Sequence, residues 1–345
     1  MKLVIQIPCF NEEQTLPQTI RDLPKSIPGI DQIEILVVDD GSKDRTVEVA
    51  RSCGIRHILN LGTNRGLGRA FAAGMEKAVS LGADIVVNTD ADNQYVGADI
   101  AKLVEPILQH HADMVIGCRP IINHPEFSPL KKMLQLLGSW TLRLLSKTNV
   151  RDAASGFRAF SREACKRLVI YSRFSYCMES LIQAGNSHLR VDSVDIRVNS
   201  TTRQSHLFKS TPEYIWKSGY TMAAMFIHYR PSLIFGLLSV VNLAGAALLG
   251  LRFLYHIYLV PASAQHRTYI PSLILLAVLA IFGAGLAALA VIAELLRANR
   301  RLAEEILYQL RRQAAGHSGS APAAPQSEPP AEKAPTVIQD HSRLQ

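Results

Sequence analysis

Two stretches without an ionisable side chain limit the fold of this chain more than any other feature. Pro231–Leu251 and Ile270–Ala293 are each long enough to cross a bilayer as a helix, which takes roughly 20 apolar residues. A helix buried inside a soluble protein seldom runs so far without a charge. We therefore predict two transmembrane helices, over residues 231–256 and 270–296. Candidate interface anchors near their ends are Tyr229, Tyr255, Tyr258 and Tyr269.

The charges beside these stretches predict the side of the membrane on which the rest of the chain lies. The connector between them holds only Arg267, with Arg252 close by. Basic residues are denser on the other side, where Lys209, Lys217 and Arg230 precede the first stretch and Arg297, Arg300, Arg301, Arg311 and Arg312 follow the second. The positive-inside rule then places the N-terminal part and the C-terminal tail in the cytoplasm. The chain opens on a strand pattern without a signal-peptide profile, which agrees with that expectation.

Composition narrows the functional classes. The net charge of +8 suits nucleic acid, a membrane surface or a phosphorylated substrate. Much of the positive charge lies beside the apolar stretches, where membrane topology explains it, so we do not expect nucleic-acid binding. The five cysteines include no CxxC pair, which predicts free thiols in a reducing compartment.

The first part of the chain alternates β-rich runs with helical patterns. The predicted strands are Leu3–Ile7, Glu34–Val38, Ile55–Asn60, Ile85–Asn88 and Met114–Gly117, and the predicted helices are Thr15–Leu23, Asp44–Cys53, Gly68–Leu81 and Gly97–His110. This order is typical of an α/β fold, with a parallel sheet covered by helices on both faces. Ligands of such sheets bind beyond the carboxyl ends of the strands.

The remaining segments differ in composition. We expect a folded domain over residues 1–210. Within it, an apolar stripe with a basic rim at about 126–147 predicts a helix at the membrane interface, although a core helix fits the same pattern. A juxtamembrane linker is expected over 211–230, a charged helical extension over 297–313, and a disordered tail over 314–345.

Two aspartates, Asp90 and Asp92, follow the fourth predicted strand. Carboxylates this close at a strand end need a positive partner, and a divalent cation such as Mg²⁺ or Mn²⁺ binds oxygen ligands. The cation could also bind a diphosphate and neutralise it as a leaving group. The alternative is an Asp-rich turn that caps the next helix.

Acidic residues also follow the first two predicted strands. Asp39 could accept hydrogen bonds from a base or ribose, whereas Asp40 with the next glycine fits a turn. Glu12 and Glu13 could bind a ligand or simply favour the start of a helix. Since the carboxyl ends of parallel strands share one edge of the sheet, we expect the three clusters to meet there.

A pair of glycines, Gly66 and Gly68, begins a dinucleotide-binding fingerprint. Phe71 stands where the third glycine belongs, which disfavours a Rossmann dehydrogenase. We interpret residues 64–66 instead as a loop that closes onto a nucleotide.

Six motifs in this order resemble family 2 glycosyltransferases. They are IPCFNEE at 7–13, VVDDGSKDRT at 37–46, NRGLGRAFAAGME at 64–76, NTDADNQY at 88–95, GCR at 117–119 and SGFRAF at 155–160. Within that family the chain is most similar to polyprenyl-phosphate transferases, that is, dolichyl-phosphate mannose synthases and bacterial bactoprenol glucosyltransferases. The resemblance implies an inverting enzyme with a GT-A fold, a Rossmann-like nucleotide-sugar-binding domain with a mainly parallel sheet.

The resemblance also implies roles for single residues. Arg119, with Lys131 and Lys132, is expected to bind the acceptor phosphate. Arg203 and Lys209 are expected to help the nucleoside diphosphate leave. Asp92 and Arg119 join these two as the expected catalytic residues. The nucleoside would be cradled by Pro8, Phe10, Glu12 and Asp39, and the metal and diphosphate would be held by Asp90, Asp92 and Gln94.

The kind of acceptor follows from what the chain lacks. A sugar hydroxyl needs a catalytic base, whereas a phosphate monoester is already an anion at neutral pH. Many sugar-to-sugar relatives carry a Glu-Asp pair, and no Glu-Asp dipeptide occurs here. We therefore expect inverting transfer from a nucleoside-diphosphate sugar to undecaprenyl or dolichyl phosphate at the cytoplasmic face of the membrane.

Alternatives remain open at this stage. Glu179 or Asp152 could act as the base for a sugar-hydroxyl acceptor. The protein could also be a non-catalytic membrane scaffold with a degenerate transferase domain, and a homo-oligomer is possible. Arg158 could belong to the site or could form a structural ion pair with Asp152.

Overall fold

The computed structural model describes residues 1–120, 143, 146, 148, 150–170, 176–199, 230–259 and 269–317. The N-terminal part folds around a seven-stranded sheet in the order β3-β2-β1-β4-β6-β5-β7. Its strands are β1 (Lys2–Cys9), β2 (Gln32–Asp39), β3 (His57–Asn60), β4 (Ile85–Asn88), β5 (Met114–Cys118), β6 (Arg158–Ser161) and β7 (Val191–Asp195).

Helices separate most of these strands. The α-helices within the described residues are α1 (Leu16–Asp22), α2 (Thr46–Ser52), α3 (Leu67–Ser80), α4 (Ile100–Leu108), α5 (Arg162–Arg167), α6 (Tyr176–Asn186), α7 (Pro231–Leu259) and α8 (Ile270–His317). Ser161 caps the start of α5, and its side-chain oxygen accepts a hydrogen bond from the Ala164 amide at 3.1 Å. Such a cap pairs a backbone donor that the first turn of a helix otherwise leaves open.

The sheet is mainly parallel. Strands β1 to β4 run parallel to one another, β7 is parallel to β5, and β6 runs antiparallel between β4 and β5. This confirms the α/β prediction. The sequence predicts neither β6 nor β7, because both are short and β7 alternates carboxylates with small side chains rather than forming an apolar run.

Each face of the sheet has its own apolar core. Under α3, α5 and α6, Phe71 stacks on Tyr176 with ring centroids 4.1 Å apart and meets Phe160 edge-on. Under α1, α2 and α4, Phe157 stacks on Tyr95 at 4.8 Å. Truncating a buried phenylalanine to alanine costs about 3–5 kcal/mol of stability. These rings therefore hold the loops above them in fixed positions.

Helices α7 and α8 pack side by side and leave much of their apolar surface uncovered. Leu248 is 68% exposed and Ile281 72% exposed. The helices approach closely at Gly283, whose carbonyl accepts a hydrogen bond from the Ser239 hydroxyl at 2.7 Å and whose missing Cβ would lie 2.7 Å from Leu243 Cγ. Both helices are long and apolar enough to cross a membrane, judged by length and composition.

Beyond its apolar part, α8 continues without a break and packs on the sheet domain. The Tyr308 ring is 6% exposed, its hydroxyl donates to Glu163, and the Arg167 guanidinium lies 4.3 Å from its centroid. Arg311 binds Glu76 at 2.6 Å and donates to backbone carbonyls at the end of α5. The charged end of α8 is thereby attached to α3 and α5.

Three predicted segments fall wholly or largely outside the described residues. They are the interfacial helix at about 126–147, the linker at 211–230 and the tail at 314–345. The bounds predicted for these segments therefore stay predictions.

Candidate active site

The acidic clusters follow three strands whose carboxyl ends lie at one edge of the sheet. Parallel pairing places Cys9 of β1 beside Asp39 of β2, and Gln6 of β1 beside Asn88 of β4. The loops that follow β1, β2 and β4 therefore leave the sheet next to one another. These loops carry Glu12, Asp40, Asp90 and Asp92.

Reciprocal hydrogen bonds join the loops after β1 and β2. The Asn11 amide donates to Ser42 Oγ at 2.9 Å, and the Lys43 amide donates to the Asn11 side-chain oxygen at 2.8 Å. Next to them, the Glu12 amide donates to Thr46 Oγ1 at 2.8 Å. Asn11 has a φ of +57°, a left-handed conformation that asparagine adopts more readily than most residues. These bonds hold the two loops as one unit.

Asp44 and Glu13 serve the same loop geometry. The Asp44 carboxylate accepts hydrogen bonds from the amides of Glu13 at 3.1 Å and Thr46 at 3.0 Å. Burial by itself would raise the pKa of Asp44, but the hydrogen bonds from Thr46 and from backbone amides hold that pKa below its ordinary value. The Glu13 carboxylate accepts from the Arg45 amide at 3.0 Å. Both carboxylates therefore hold the backbone of the loops after β1 and β2 in place.

Asp39 and Asp40 have different surroundings, although both are buried. The Asp40 carboxylate accepts hydrogen bonds from the amides of Arg65 at 2.7 Å and Gly66 at 2.9 Å. This pairing ties the loop before α3 to the end of β2, and Gly66 supplies the positive φ of +92° that the loop requires. Asp39 accepts from the Ser42 amide at 3.1 Å. Asp40 thus supports the loop, and Asp39 remains the candidate for a ligand contact.

Asp90 and Asp92 lie in the short loop after β4. The Gln94 amide donates to Asp92 at 3.1 Å, and the carboxylate of Asp90 lies beside the Tyr95 hydroxyl. The pKa of Asp90 is raised to about 7, chiefly by burial and then by the charge of Asp92, against the opposing charge of Arg119. Two carboxylates that repel each other to this extent favour a bound cation.

A buried polar network supports this loop from below. The Asn88 side chain accepts a hydrogen bond from Gln6 Nε2 at 2.9 Å. It donates to the Gly156 carbonyl at 3.0 Å and to the Tyr176 hydroxyl at 2.8 Å. Pairing of buried polar groups in this way fixes a single arrangement, because each broken bond would leave a donor or acceptor without water.

The network brings the backbone at Gly156 against Asp90. The Gly156 amide donates to the Tyr95 hydroxyl at 3.2 Å. A Cβ at position 156 would lie 3.2 Å from both carboxylate oxygens of Asp90 and 2.6 Å from the Tyr176 hydroxyl. This close approach requires glycine, because any side chain at position 156 would press on Tyr176 and Asp90.

Arg119, at the end of β5, forms a two-pronged ion pair with Asp152. Its Nε and Nη2 atoms donate to the two carboxylate oxygens at 2.7 and 3.0 Å, and Asp152 is fully buried. The suggested ion pair between Arg158 and Asp152 is therefore wrong. Arg158 is also fully buried, and its guanidinium instead donates to the Ser180 hydroxyl and to the carbonyls of Ala153, Ser155 and Cys177.

Asp90 and Asp92 fit a metal that is shared with a substrate. Among the described residues, no group of three or more His, Cys, Asp or Glu side chains could hold a metal ion. Mg²⁺ commonly binds one or two carboxylates together with substrate phosphates and water. The two carboxylates alone therefore fit a site that substrate phosphates and water complete.

Some of the other predicted site residues lie in the part of the chain that the structure describes, and some lie outside it. Pro8 is buried at the end of β1, Phe10 is 41% exposed, and Glu12 and Gln94 are half-buried. The Asn199 amide donates to the Gln94 carbonyl at 2.8 Å, so the chain leaves the described part beside the site. The predicted residues outside the described part are Lys131, Lys132, Arg203 and Lys209.

Both candidate bases are engaged in ion pairs. Asp152 is bound to Arg119, as described above. Glu179, on α6, is 4% exposed and lies 3.8 Å from the Arg300 guanidinium of α8. Each carboxylate is thus held by an arginine, and neither is placed free to accept a proton from a sugar hydroxyl.

Three supporting residues were not predicted from the sequence. Tyr95 and Gly156 lie inside the motifs NTDADNQY and SGFRAF, so a signal for them was present. Tyr176 begins α6 outside every motif, and only its stacking on Phe71 and its bond to Asn88 connect it with the site.

A mainly parallel sheet with paired carboxylates at its carboxyl edge defines the class of GT-A glycosyltransferases. The model of the family named glycosyl transferase family 2 matches residues 4–169. Together with the relatives below, this match shows that the chain belongs to glycosyl transferase family 2, and the resemblance noted from the motifs is confirmed.

Two relatives and one solved structure illustrate the similarity. The UDP-N-acetylglucosamine–dolichyl-phosphate N-acetylglucosaminyltransferase of Methanococcus voltae is 35% identical over 55% of this chain and 83% of its own length. The undecaprenyl-phosphate mannosyltransferase of Micrococcus luteus is 31% identical over 49% of this chain and 70% of its own. The glucosyl-3-phosphoglycerate synthase of Mycobacterium tuberculosis, solved with Mn²⁺, UDP and phosphoglyceric acid, shares the fold at 18% identity, with a TM-score of 0.50 over 66% of this chain and 77% of its own.

Proposed function

We propose that this glycosyltransferase moves a sugar from a nucleoside diphosphate to the phosphate of a polyprenyl lipid, with inversion at the anomeric carbon. The observation that carries the proposal is the pair Asp90 and Asp92 at the carboxyl edge of the sheet, with the charge of Arg119 close enough to act on Asp90. The M. voltae and M. luteus relatives are named for dolichyl and undecaprenyl phosphate acceptors, which supports a lipid phosphate here.

In this proposal Asp90 and Asp92 hold a divalent cation, Mg²⁺ or Mn²⁺. When bound, the cation neutralises charge on the diphosphate of the donor, which makes the nucleoside diphosphate a better leaving group. Support comes from the oxygen-only donor set and from the raised pKa of Asp90, which burial and the charge of Asp92 cause. The M. tuberculosis synthase that shares the fold was solved with Mn²⁺.

The nucleoside lies, by our proposal, over the joined loops after β1 and β2. The ring of Phe10 is 41% exposed there and could stack on a base. Asp39 is an acceptor at the neighbouring strand end, with Pro8 and Glu12 shaping the same surface. Gln94 belongs to the diphosphate end of the site. The hydrogen bonds that join the two loops would hold this surface in place before the donor binds.

Arg119 is the proposed contact for the acceptor phosphate, assisted by Lys131 and Lys132. Asp152 holds the Arg119 guanidinium through two hydrogen bonds, which restrict its orientation. A lipid phosphate is already an anion at neutral pH, so the reaction needs positioning and charge balance rather than a base. Arg203 and Lys209 are proposed to stabilise the departing diphosphate. Arg203 follows Asn199 by four residues and Lys209 by ten, and Asn199 is bound to the loop after β4.

The same geometry disfavours a sugar-hydroxyl acceptor. That reaction requires a carboxylate free to take a proton, and the two candidates are paired with Arg119 and Arg300. A non-catalytic scaffold is disfavoured because every acidic motif residue is present and supported by hydrogen bonds.

We also propose that α7 and α8 cross the membrane, with the sheet domain and the charged end of α8 on the cytoplasmic side. Both helices have the required length and apolar composition. The contact of Tyr308 with Glu163 requires the end of α8 and the sheet domain to lie on the same side. A lipid phosphate at the headgroup level would then be within reach of a membrane-attached enzyme.

The test is transfer of label to lipid. The full-length protein in detergent, with Mg²⁺ or Mn²⁺, is incubated with polyprenyl phosphate and each of a set of radiolabelled nucleotide sugars. We expect label in the organic phase with one donor, and loss of transfer with EDTA or in Asp92→Asn. The matched control Asp31→Asn, an exposed carboxylate at the opposite end of β2, should retain transfer.

Two outcomes would contradict the proposal. If the protein binds a nucleotide but labels no lipid with any donor, and labels a sugar acceptor instead, the acceptor is a hydroxyl. If Asp92→Asn and EDTA leave transfer intact, the metal role assigned to Asp90 and Asp92 is wrong.

A further inference from the structure

A cavity lies where α6 ends, α7 begins and α8 leaves its apolar part. Its volume is about 800 Å³. The end of α6 contributes Asn186 and His188, and α7 contributes Phe235. None of the acidic motif residues lines it. The cavity is therefore separate from the site described above.

Arginine is the commonest lining residue. Of the described residues around the cavity, five are arginines, and Glu304 and Glu305 are the only carboxylates. The excess of positive charge favours an anion. The five arginines are Arg167, Arg230, Arg297, Arg300 and Arg301.

Some of this charge is already used within the protein. Arg300 pairs with Glu304 at 2.8 Å and with Glu179, Arg297 pairs with Glu294, and Arg167 pairs with Glu163 while lying over the Tyr308 ring. No carboxylate of the described residues lies within 4.0 Å of the guanidinium of Arg230 or Arg301. These two arginines are thus the ones available to an anion from outside.

One side of the cavity is apolar and continues into the two long helices. Pro231, Phe235, Ala293 and Leu296 form this side of the cavity. They belong to the inner ends of the stretches that have the length and composition of membrane spans. A ligand that fits both sides needs an anionic group and an attached hydrocarbon portion.

We propose that this cavity binds the headgroup phosphate of an anionic phospholipid from the surrounding bilayer. Arg230 and Arg301 contact the phosphate, and the acyl chains lie along α7 and α8. Basic pockets between membrane helices on the cytoplasmic side commonly bind lipid headgroups in this way. The inference rests on the membrane placement proposed above, but not on the acceptor of the sugar.

The experiment counts phospholipids retained by the purified full-length protein in native mass spectrometry, after titration with phosphatidylglycerol or phosphatidylcholine. We expect one phosphatidylglycerol to bind saturably, with phosphatidylcholine much weaker. Each arginine near a membrane surface changes binding about fivefold, so the double variant Arg230→Gln/Arg301→Gln should bind roughly 25-fold more weakly. Arg230→Lys/Arg301→Lys keeps the charge and should retain most of the binding.

The matched control removes the same charge elsewhere. Arg252→Gln/Arg312→Gln alters two exposed arginines that do not line the cavity, and it should bind like the native protein. Equal losses in both double variants, or equal binding of the two phospholipids, would overturn the proposal. Displacement of phosphatidylglycerol one for one by polyprenyl phosphate, or by inorganic phosphate alone, would assign the cavity to a different ligand.

Turnover separates this inference from the proposed function. The Arg230 and Arg301 variants, assayed in detergent without phospholipid, should transfer sugar to polyprenyl phosphate at the native rate. Neither the variants nor the native protein could fail to bind phosphatidylglycerol for lack of the acceptor. If all of them bind phosphatidylglycerol as expected but none transfers sugar to polyprenyl phosphate, the proposed acceptor fails and the phospholipid site stands. If transfer proceeds while no phospholipid binds, only the site proposed here fails.

Discussion

At the scale of single residues, the position of Asp90 depends on the missing side chain of Gly156. A Cβ at that position would come within 2.6 Å of the Tyr176 hydroxyl, closer than real Cβ atoms come to other atoms. Tyr176 cannot move aside easily, because its ring stacks on Phe71 and its hydroxyl is bonded to Asn88. The rearrangement would therefore fall on Asp90.

We predict that Gly156→Ala leaves the protein folded but weakens Mn²⁺ activation of transfer by tenfold or more. Overpacking at a tight site typically costs about 1–3 kcal/mol, which corresponds to a factor of roughly 5 to 150 in an equilibrium constant. The measurement is a metal titration of transfer rate beside a thermal melt. Gly236→Ala, at a helical position with nothing within 4 Å, should match the native protein in both. If Mn²⁺ activates Gly156→Ala as it activates the native protein, Gly156 does not position Asp90 for the metal.

The raised pKa of Asp90 predicts how the metal-free protein responds to pH. In the folded protein this carboxyl holds its proton up to about pH 7, whereas its ordinary value is 3.8. Between these values the folded state binds more protons than the unfolded state, so stability falls as pH rises through the window. We expect the melting temperature in EDTA to drop between pH 5 and pH 8, and the drop to shrink in Asp90→Asn.

Metal should reverse that trend. A bound cation favours the ionised carboxylates, so Mn²⁺ should stabilise the protein more at pH 8 than at pH 5.5, where a proton competes for Asp90. Melting curves with and without Mn²⁺ at both values provide the comparison. Stabilisation that is equal at the two pH values, or that survives in Asp92→Asn, would contradict the assignment of the metal to these carboxylates.

At the scale of elements, α7 and α8 depend on one close contact. Gly283 lets the helices approach until a Cβ would overlap Leu243, and Ser239 donates to its carbonyl. Gly285 lies two residues further along the same helix and has nothing within 4 Å of its Cβ position. The two glycines therefore form a matched pair for a substitution.

We predict that Gly283→Val lowers the melting temperature in detergent and that Gly285→Val does not. Separating the helices would break the Ser239 hydrogen bond and expose the packed surface, at a cost of about 1–3 kcal/mol. Thermal unfolding of both variants in one detergent tests this. Equal shifts would mean that the helix pair does not pack through Gly283.

Helix α8 also links helix α7 to the N-terminal domain, which local sequence patterns treat as separate parts of the chain. Its apolar part packs on α7, whereas its charged end places Tyr308 and Arg311 on α3 and α5. Arg300 of the same helix reaches Glu179 on α6, the helix whose first residue supports Asn88 and Gly156. The two long apolar helices and the floor of the site are thus connected through α6.

At the scale of the whole molecule, this attachment predicts the topology. If both helices cross the bilayer, the sheet domain and the end of α8 share one side, and the connector near residue 267 lies on the other. An impermeant maleimide should label Arg267→Cys only from outside and Arg312→Cys only from the cytoplasmic side. Cys53, the one half-buried native thiol among the five, is replaced by serine in both variants. Labelling of both positions from the same side would exclude two crossings.

Much of the architecture could be predicted from local patterns. Alternation of apolar runs predicts β1 to β5 and the parallel order, because burial imposes its period directly on neighbouring residues. The length of the uncharged stretches predicts α7 and α8 in the same way. The motif at Asp90 and Asp92 predicts a cation partner, because like charges at a strand end need one.

Contacts between distant residues were decided only by the tertiary structure. Asp152 pairs with Arg119 rather than with Arg158, because β5 ends beside it while Arg158 turns into the core. Glu179 faces Arg300 of α8, more than a hundred residues away, and so is not a free base. Spacing along the chain carries no information on such pairs, since they depend on how helices cross the sheet. The sequence by itself determined the class of fold and the edge of the sheet where the acidic clusters meet, because both depend on local patterns. The path of the chain decided which charged side chains pair with one another.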